Sequence, residues 1–157
     1  MAAKVKIGIS DKKRAAIAQA LARALAGSYV LYVKTHGFHW NVRGPHFAPL
    51  HALFETQYTE LAVAVDELAE RIRALGHEAP GSFAQFTQLS AIAEQIEVPA
   101  ADGMVKELLG DHEKLAQAFR KLAGSAAKAG DEATAGLAAD RVTVHEKTAW
   151  MLRATAG

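Results

Sequence analysis

The chain has 157 residues, 18 basic against 17 acidic side chains for a net charge of +1, no Cys, four Pro and 34 Ala. Zero Cys excludes disulfide scaffolds, Cys-ligated zinc, iron–sulfur clusters and thiol catalysis, and leaves His and carboxylate metal sites open. The charge balance is far from the basic excess of a dedicated nucleic-acid binder, and a chain of this length buries roughly 70% of its unfolded surface without needing a staple.

Met1 to Ser10 has no continuous apolar run, and no later stretch approaches 18 uncharged apolar residues, so the expectation is a soluble, cytoplasmic protein with no membrane span. Ser10 before Asp11-Lys12-Lys13-Arg14 reads as an N-cap, and Ile17, Leu21, Ala24, Leu25, Ser28 and Tyr32 keep to a helical stripe that runs to about Trp40. Asn41-Val42-Arg43-Gly44-Pro45 breaks this helix, with Pro45 suited to the first turn of the next. The second helix spans about 46 to 75, with Leu50, Leu53, Phe54, Tyr58, Leu61, Val65, Leu68 and Ile72 inward and Gly76 as its stop. From His77 to Val98 only a short apolar stretch around Phe83, Phe86 and Leu89 stands out, which predicts a short helix inside a long connection. The third long helix starts near Pro99 and runs to about Ala127, and the fourth runs from Asp131 to near Ala154, separated by a Gly130 turn.

The fold class is therefore all-α. Two tight hairpins and one long crossover predict an antiparallel four-helix bundle with the ferritin-like connection pattern, a single domain over 1–157 with 1–9 as a short tail. Both hairpins are expected at one end.

The second helix carries two polar pairs spaced i, i+4, His51 with Glu55 and Asp66 with Glu70. That spacing puts both side chains of a pair on one face, where they can chelate an ion, although a single such pair is more often solvated surface. The 15 residues from His51 to Asp66 span about 22 Å, so the two pairs cannot hold one ion within a chain, yet they lie only about 60° apart around the helix. Two copies laid antiparallel on this face would bring each His51 and Glu55 to the partner's Asp66 and Glu70, forming two equivalent sites. His39 precedes the Val42-Arg43-Gly44 turn by about as much as His51 follows it, so it joins the first pair. Two imidazoles and three carboxylates suit Fe(II) and tolerate zinc or cobalt as competitors. No Glu is followed three residues later by His, which excludes the Glu-x-x-His pairs of bundle-core di-iron proteins.

The run Lys34-Thr35-His36-Gly37-Phe38-His39-Trp40-Asn41-Val42-Arg43-Gly44, then Phe47, Leu50-His51, Phe54-Glu55 and Asp66-Glu67-Leu68-Ala69-Glu70-Arg71, resembles the signature of the Dps family, the DNA-binding proteins from starved cells or mini-ferritins. The resemblance covers nearly the whole chain. It implies an inter-subunit ferroxidase centre at His39, His51, Glu55, Asp66 and Glu70 in a dodecameric shell. Fe(II) would be oxidised there, with hydrogen peroxide usually preferred over dioxygen, and stored as a ferric mineral. It implies that His39, Asp66 and Glu70 hold the tighter first iron and that His51 and Glu55 serve a weaker second one or a water. Glu55 stands where many members have Asp.

Trp40 lies near the iron centre in the family, as an acceptor of stray oxidising equivalents or as a plain interface aromatic. His36, on the same face as His39, reads as an accessory ligand or an ordinary polar contact. His46 and His77 adjoin turns and read as solvated, while His112 and His145 lack the second His of a zinc-protease motif. Asp131 and Asp140 fall in the region that lines iron-admitting pores in the family, though Asp131 serves equally well as a helix cap. The alternative function is sequence-independent DNA binding, with a nucleoid location, through Lys4, Lys6, Lys12, Lys13 and Arg14. With so few charges it is expected to be weak.

Overall fold

The computed structural model describes residues 4–157, as five helices with no strand among them: α1 Asp11–Asn41, α2 Phe47–Ala74, α3 Phe83–Leu89, α4 Ala101–Ala129 and α5 Glu132–Ala156. The local chemistry explains the boundaries. Ser10 Oγ accepts from the Lys13 N–H at 3.4 Å, and the Asp131 carboxylate accepts from the Thr134 N–H at 2.9 Å, each satisfying a first-turn donor that the helix cannot. Gly130 closes α4 with φ of +79°, in the left-handed region that L side chains avoid. Pro45 sits in the turn ahead of α2 rather than in its first helical turn, since the Phe47 N–H bonds back to the Gly44 carbonyl.

The four long helices pack as two antiparallel pairs, α1 with α2 and α4 with α5, and α1 contacts both α4 and α3. The core is continuous. Leu21, Leu31, Phe54, Leu61, Leu68, Leu108, Phe119 and Leu152 are all shielded from solvent, and full burial of such a side chain stabilises by about 1.5–3 kcal/mol. Of the inward positions predicted on α2, Leu53, Tyr58 and Val65 are only half-buried. α2 and α5 are bridged by ion pairs, Glu60 with Arg141 and Arg71 with Asp131. By length and composition α1 would suffice to cross a membrane, but 56% of its apolar window is buried in the bundle, so that apolarity belongs to the core.

The expectation that both hairpins share one end is not met. The start of α4 at Pro99–Ala101 adjoins Asn41, Arg43 and Gly44 of the α1–α2 turn. The α4–α5 turn instead meets the far end of α2, where Arg71 holds Asp131. Because the crossover traverses the bundle, α4 starts beside the first hairpin and places the second at the opposite end.

The predicted tail is partly structured. Val5 and Ile9 are half-buried, and the Arg14 guanidinium donates to the carbonyls of Ile9 and Leu75 and to Asp11. Residues 1–3 lie outside the described residues. Gly76 has φ of +90°, and a Cβ there would come within 2.6 Å of Val5 Cγ2 and 3.0 Å of Arg14 Nη1. Gly76→Ala is therefore expected to destabilise the fold by about 1–2 kcal/mol, measured by denaturant unfolding.

Candidate metal centre

His39, in the last turn of α1, and His51, in the first turns of α2, meet across the α1–α2 turn with ring centroids 3.7 Å apart and planes only 14° from parallel. They lock one another. His39 Nδ1 lies 2.7 Å from the His51 carbonyl, and His51 Nδ1 lies 2.7 Å from the His39 carbonyl. A carbonyl only accepts, so both Nδ1 atoms carry a proton, and in the neutral rings both Nε2 atoms keep a free lone pair, the state a metal-ligating imidazole requires. His39 is buried and His51 half-buried, so the rings are held rather than mobile.

Stacking also limits what the pair can hold. The in-plane lone pairs of two nearly parallel rings cannot both reach one ion at the usual distance of about 2.1 Å, because that ion would sit far out of each ring plane. The two His therefore suit two neighbouring ions. Glu55 follows His51 by one helical turn and is exposed. Phe47 stacks on His51 with centroids 5.0 Å apart, and Tyr58 meets His39 edge-on at 5.1 Å.

Asp66 and Glu70 are exposed on α2, far from this pair. Among the described residues no group of three or more His, Asp or Glu in one chain could hold a metal ion. One chain thus brings His39 and His51 together beside Glu55 and leaves Asp66 and Glu70 apart. The α2 surface joining the two pairs is exposed and carries small or short side chains, Ala52, Thr59, Ala62 and Val63.

His36 lies between Trp40 and Tyr58, with ring centroids 4.0 and 4.2 Å away. Burial, and then the neighbouring His39, hold its imidazole below the ordinary value. Trp40 is 64% exposed. His46 is exposed at the N-cap of α2, whereas His77, expected to be solvated, is half-buried.

Asp131 caps α5. It is buried, with one carboxylate oxygen held by the Thr134 N–H and by Arg71 and the other by the Thr134 hydroxyl. Burial pushes its carboxyl up, but the Thr134 hydrogen bonds and the Arg71 charge outweigh it and hold the group below the usual carboxylate range. Asp140 remains exposed. Arg14, one of the five cations considered for DNA, is buried and committed to the tail contacts.

Two buried clusters escaped the sequence reading. Lys34 Nζ pairs with Asp111 at 2.7 Å and Glu107 at 3.0 Å. His112 and His145 face each other in the core, with Arg141 joining His145 to Glu60. The available signal was position, because His112 falls on the stripe with Leu108 and Leu115, and His145 on that with Ala138 and Leu152.

Residues 18–157 match the ferritin-like domain family. The chain is 41% identical over 155 residues to a low temperature-induced protein of Nostoc sp., covering 96% of this chain and 85% of that one. It is 38% identical over 138 residues to DNA protection during starvation protein 2 of Bacillus anthracis, covering 88% and 94%. The Dps protein from Vibrio cholerae O1, described as a ferritin-like diiron-carboxylate protein, superposes with a TM-score of 0.94 at 34% identity, covering 100% of this chain and 98% of that one. With the fold, the crossover and the paired His in place, this chain belongs to the Dps family of ferritin-like proteins.

Proposed function

We propose that this protein is a mini-ferritin ferroxidase, which oxidises Fe(II) at sites shared between two subunits and stores ferric iron inside a dodecameric shell. The observation that carries this reading is the reciprocal lock of His39 and His51, which frees both Nε2 lone pairs at the hairpin end of a face whose far end carries Asp66 and Glu70. Antiparallel pairing of two α2 faces puts the acids of one chain against the His of the other. The exposed Thr59, Ala62 and Val63 near the midpoint let two helices approach closely there.

In this reading iron is the substrate. His39 with the partner's Asp66 and Glu70 takes the tighter first ion, one imidazole and two carboxylates matching a divalent cation that prefers N and O ligands. His51 with Glu55 takes the second. The near-parallel rings support two separate positions. Each Fe(II) gives one electron, and hydrogen peroxide, preferred over dioxygen, takes both and with two protons becomes two waters, so no hydroxyl radical is released. Zinc competes for the same donors. Ferric product moves into the shell, and Asp140 contributes to an acidic pore that draws Fe(II) inward by field focusing. Protection from oxidative damage in the cytoplasm follows.

DNA binding is the lesser reading, since the commitment of Arg14 leaves four Lys side chains for it. Light scattering tests the assembly that the shared site requires. Twelve-subunit particles are the expected result, and a monomer would overturn the shared site.

A further inference from the structure

The two His of the bundle interior have a hydrogen-bond order that their geometry fixes. Arg141 Nη2 lies 3.1 Å from His145 Nε2, and a guanidinium can only donate, so His145 accepts at Nε2 and carries its proton on Nδ1. His145 Nδ1 lies 2.8 Å from His112 Nδ1, so His112 accepts there and carries its proton on Nε2. That last N–H is fully buried and has no protein partner, and neither does the Gln57 amide oxygen or nitrogen, also buried. At the opposite end of the relay the Glu60 carboxylate takes two donors from Arg141, whose Nε–H is buried without a protein partner.

These groups share one level of the bundle. Gln57 is ten residues into α2, His112 eleven residues into α4, and both helices start at the same end, so each lies about 15–17 Å along the axis. α5 ends there too, beside His46 and Pro49, and His145 is eleven residues from its last residue, at about the same depth.

We propose that the interior holds a buried water between His112 Nε2–H and the Gln57 amide, and that this site takes a small neutral acceptor and excludes metal cations. A buried donor and a buried amide with nothing to bond are rare in folded proteins, and one water can accept from the His112 N–H and donate to the Gln57 amide oxygen. A cation would need the Nε2 lone pair of His112. Freeing it moves the His112 proton to Nδ1 and the His145 proton to Nε2, where it faces the Arg141 N–H, donor against donor. Bundle interiors of this architecture are where carboxylate di-metal proteins place their metals. Here the relay closes that position, which leaves the subunit interface as the place for metal chemistry.

Magic-angle-spinning NMR of the assembled wild-type protein with ¹⁵N-His, above pH 7, tests this directly. The expected result is His145 protonated at Nδ1, His112 protonated at Nε2, and magnetisation transfer from water to the His112 Nε2 proton. A His112 with its lone pair on Nε2, or no transfer from water, overturns the proposal. Co(II) titration of the protein carrying His39→Ala, His51→Ala, Asp66→Ala and Glu70→Ala gives a second readout, independent of whether the interface oxidises iron. No stoichiometric Co(II) absorption is expected. One Co(II) per subunit that disappears on adding His112→Phe overturns it.

Discussion

Replacing His39 and Asp66 together by Ala is expected to slow peroxide-driven Fe(II) oxidation at least about a hundredfold, while the particle stays assembled. Each substitution removes a ligand of the proposed first iron position, the His39 imidazole at the end of α1 and the Asp66 carboxylate on α2. Loss even of groups that only support a ligand typically costs about 10–100-fold in metal affinity or activity, so direct ligands cost more. The measurement is stopped-flow absorbance of ferric formation at equal subunit concentration, with light scattering on the same samples. Equal rates in variant and wild type would remove these residues from the site.

Acid should destabilise the fold through its interior. His112 is held down to about pH 3, first by burial and then by the Arg141 charge, and His145 is held well below its ordinary value by burial, His112 and Arg141. Unfolding restores both to about 6.5, so above that pH neither state takes a proton and the pair has no effect. As pH falls below 6.5 the unfolded chain binds protons that the folded chain refuses, and stability drops until about pH 3. For His112 alone the loss is about 4 kcal/mol per subunit at the acid end of that window. Asp111 works in the opposite direction, because burial raises its carboxyl and favours the folded state in acid. Comparison with a His112→Phe, His145→Phe variant isolates the pair: its denaturant midpoint should change much less between pH 6.5 and 4 than that of the wild type. Parallel profiles would show that the pair is not neutral in the fold.

Much of this architecture was legible because its signals are local. Ser10 and Asp131 cap α1 and α5, Gly76 and Gly130 follow the ends of α2 and α4, and Leu50, Phe54, Leu61 and Leu68 of α2 face the core. The end of the bundle that each hairpin occupies was not legible. It depends on the path of residues 75–100, whose weak periodicity constrains the crossover little. At the site, the spacing around the turn brought His39 to His51, but no spacing rule encodes two Nδ1 atoms finding each other's carbonyls. Asp131 shows the limit in the other direction. Its place at a helix start predicts the cap it makes with the Thr134 N–H, but nothing local predicts its burial or its pairing with Arg71, 60 residues away in sequence. The His112–His145 pair was hidden for a similar reason, since its partners lie on α2 and α5 and a His on an apolar stripe has no local signature.

In the proposed ferroxidase each iron site is built by two chains, and mixed assembly separates such a site from one confined to a single chain. One chain carries His39→Ala and His51→Ala, the other Asp66→Ala and Glu70→Ala, and the two are unfolded together and reassembled at equal amounts. Each alone should be inactive. In a random mixture a site is intact only when its His come from the second chain and its acids from the first, so about a quarter of the wild-type oxidation rate should return. No recovery in mixed particles of full size would contradict a shared site.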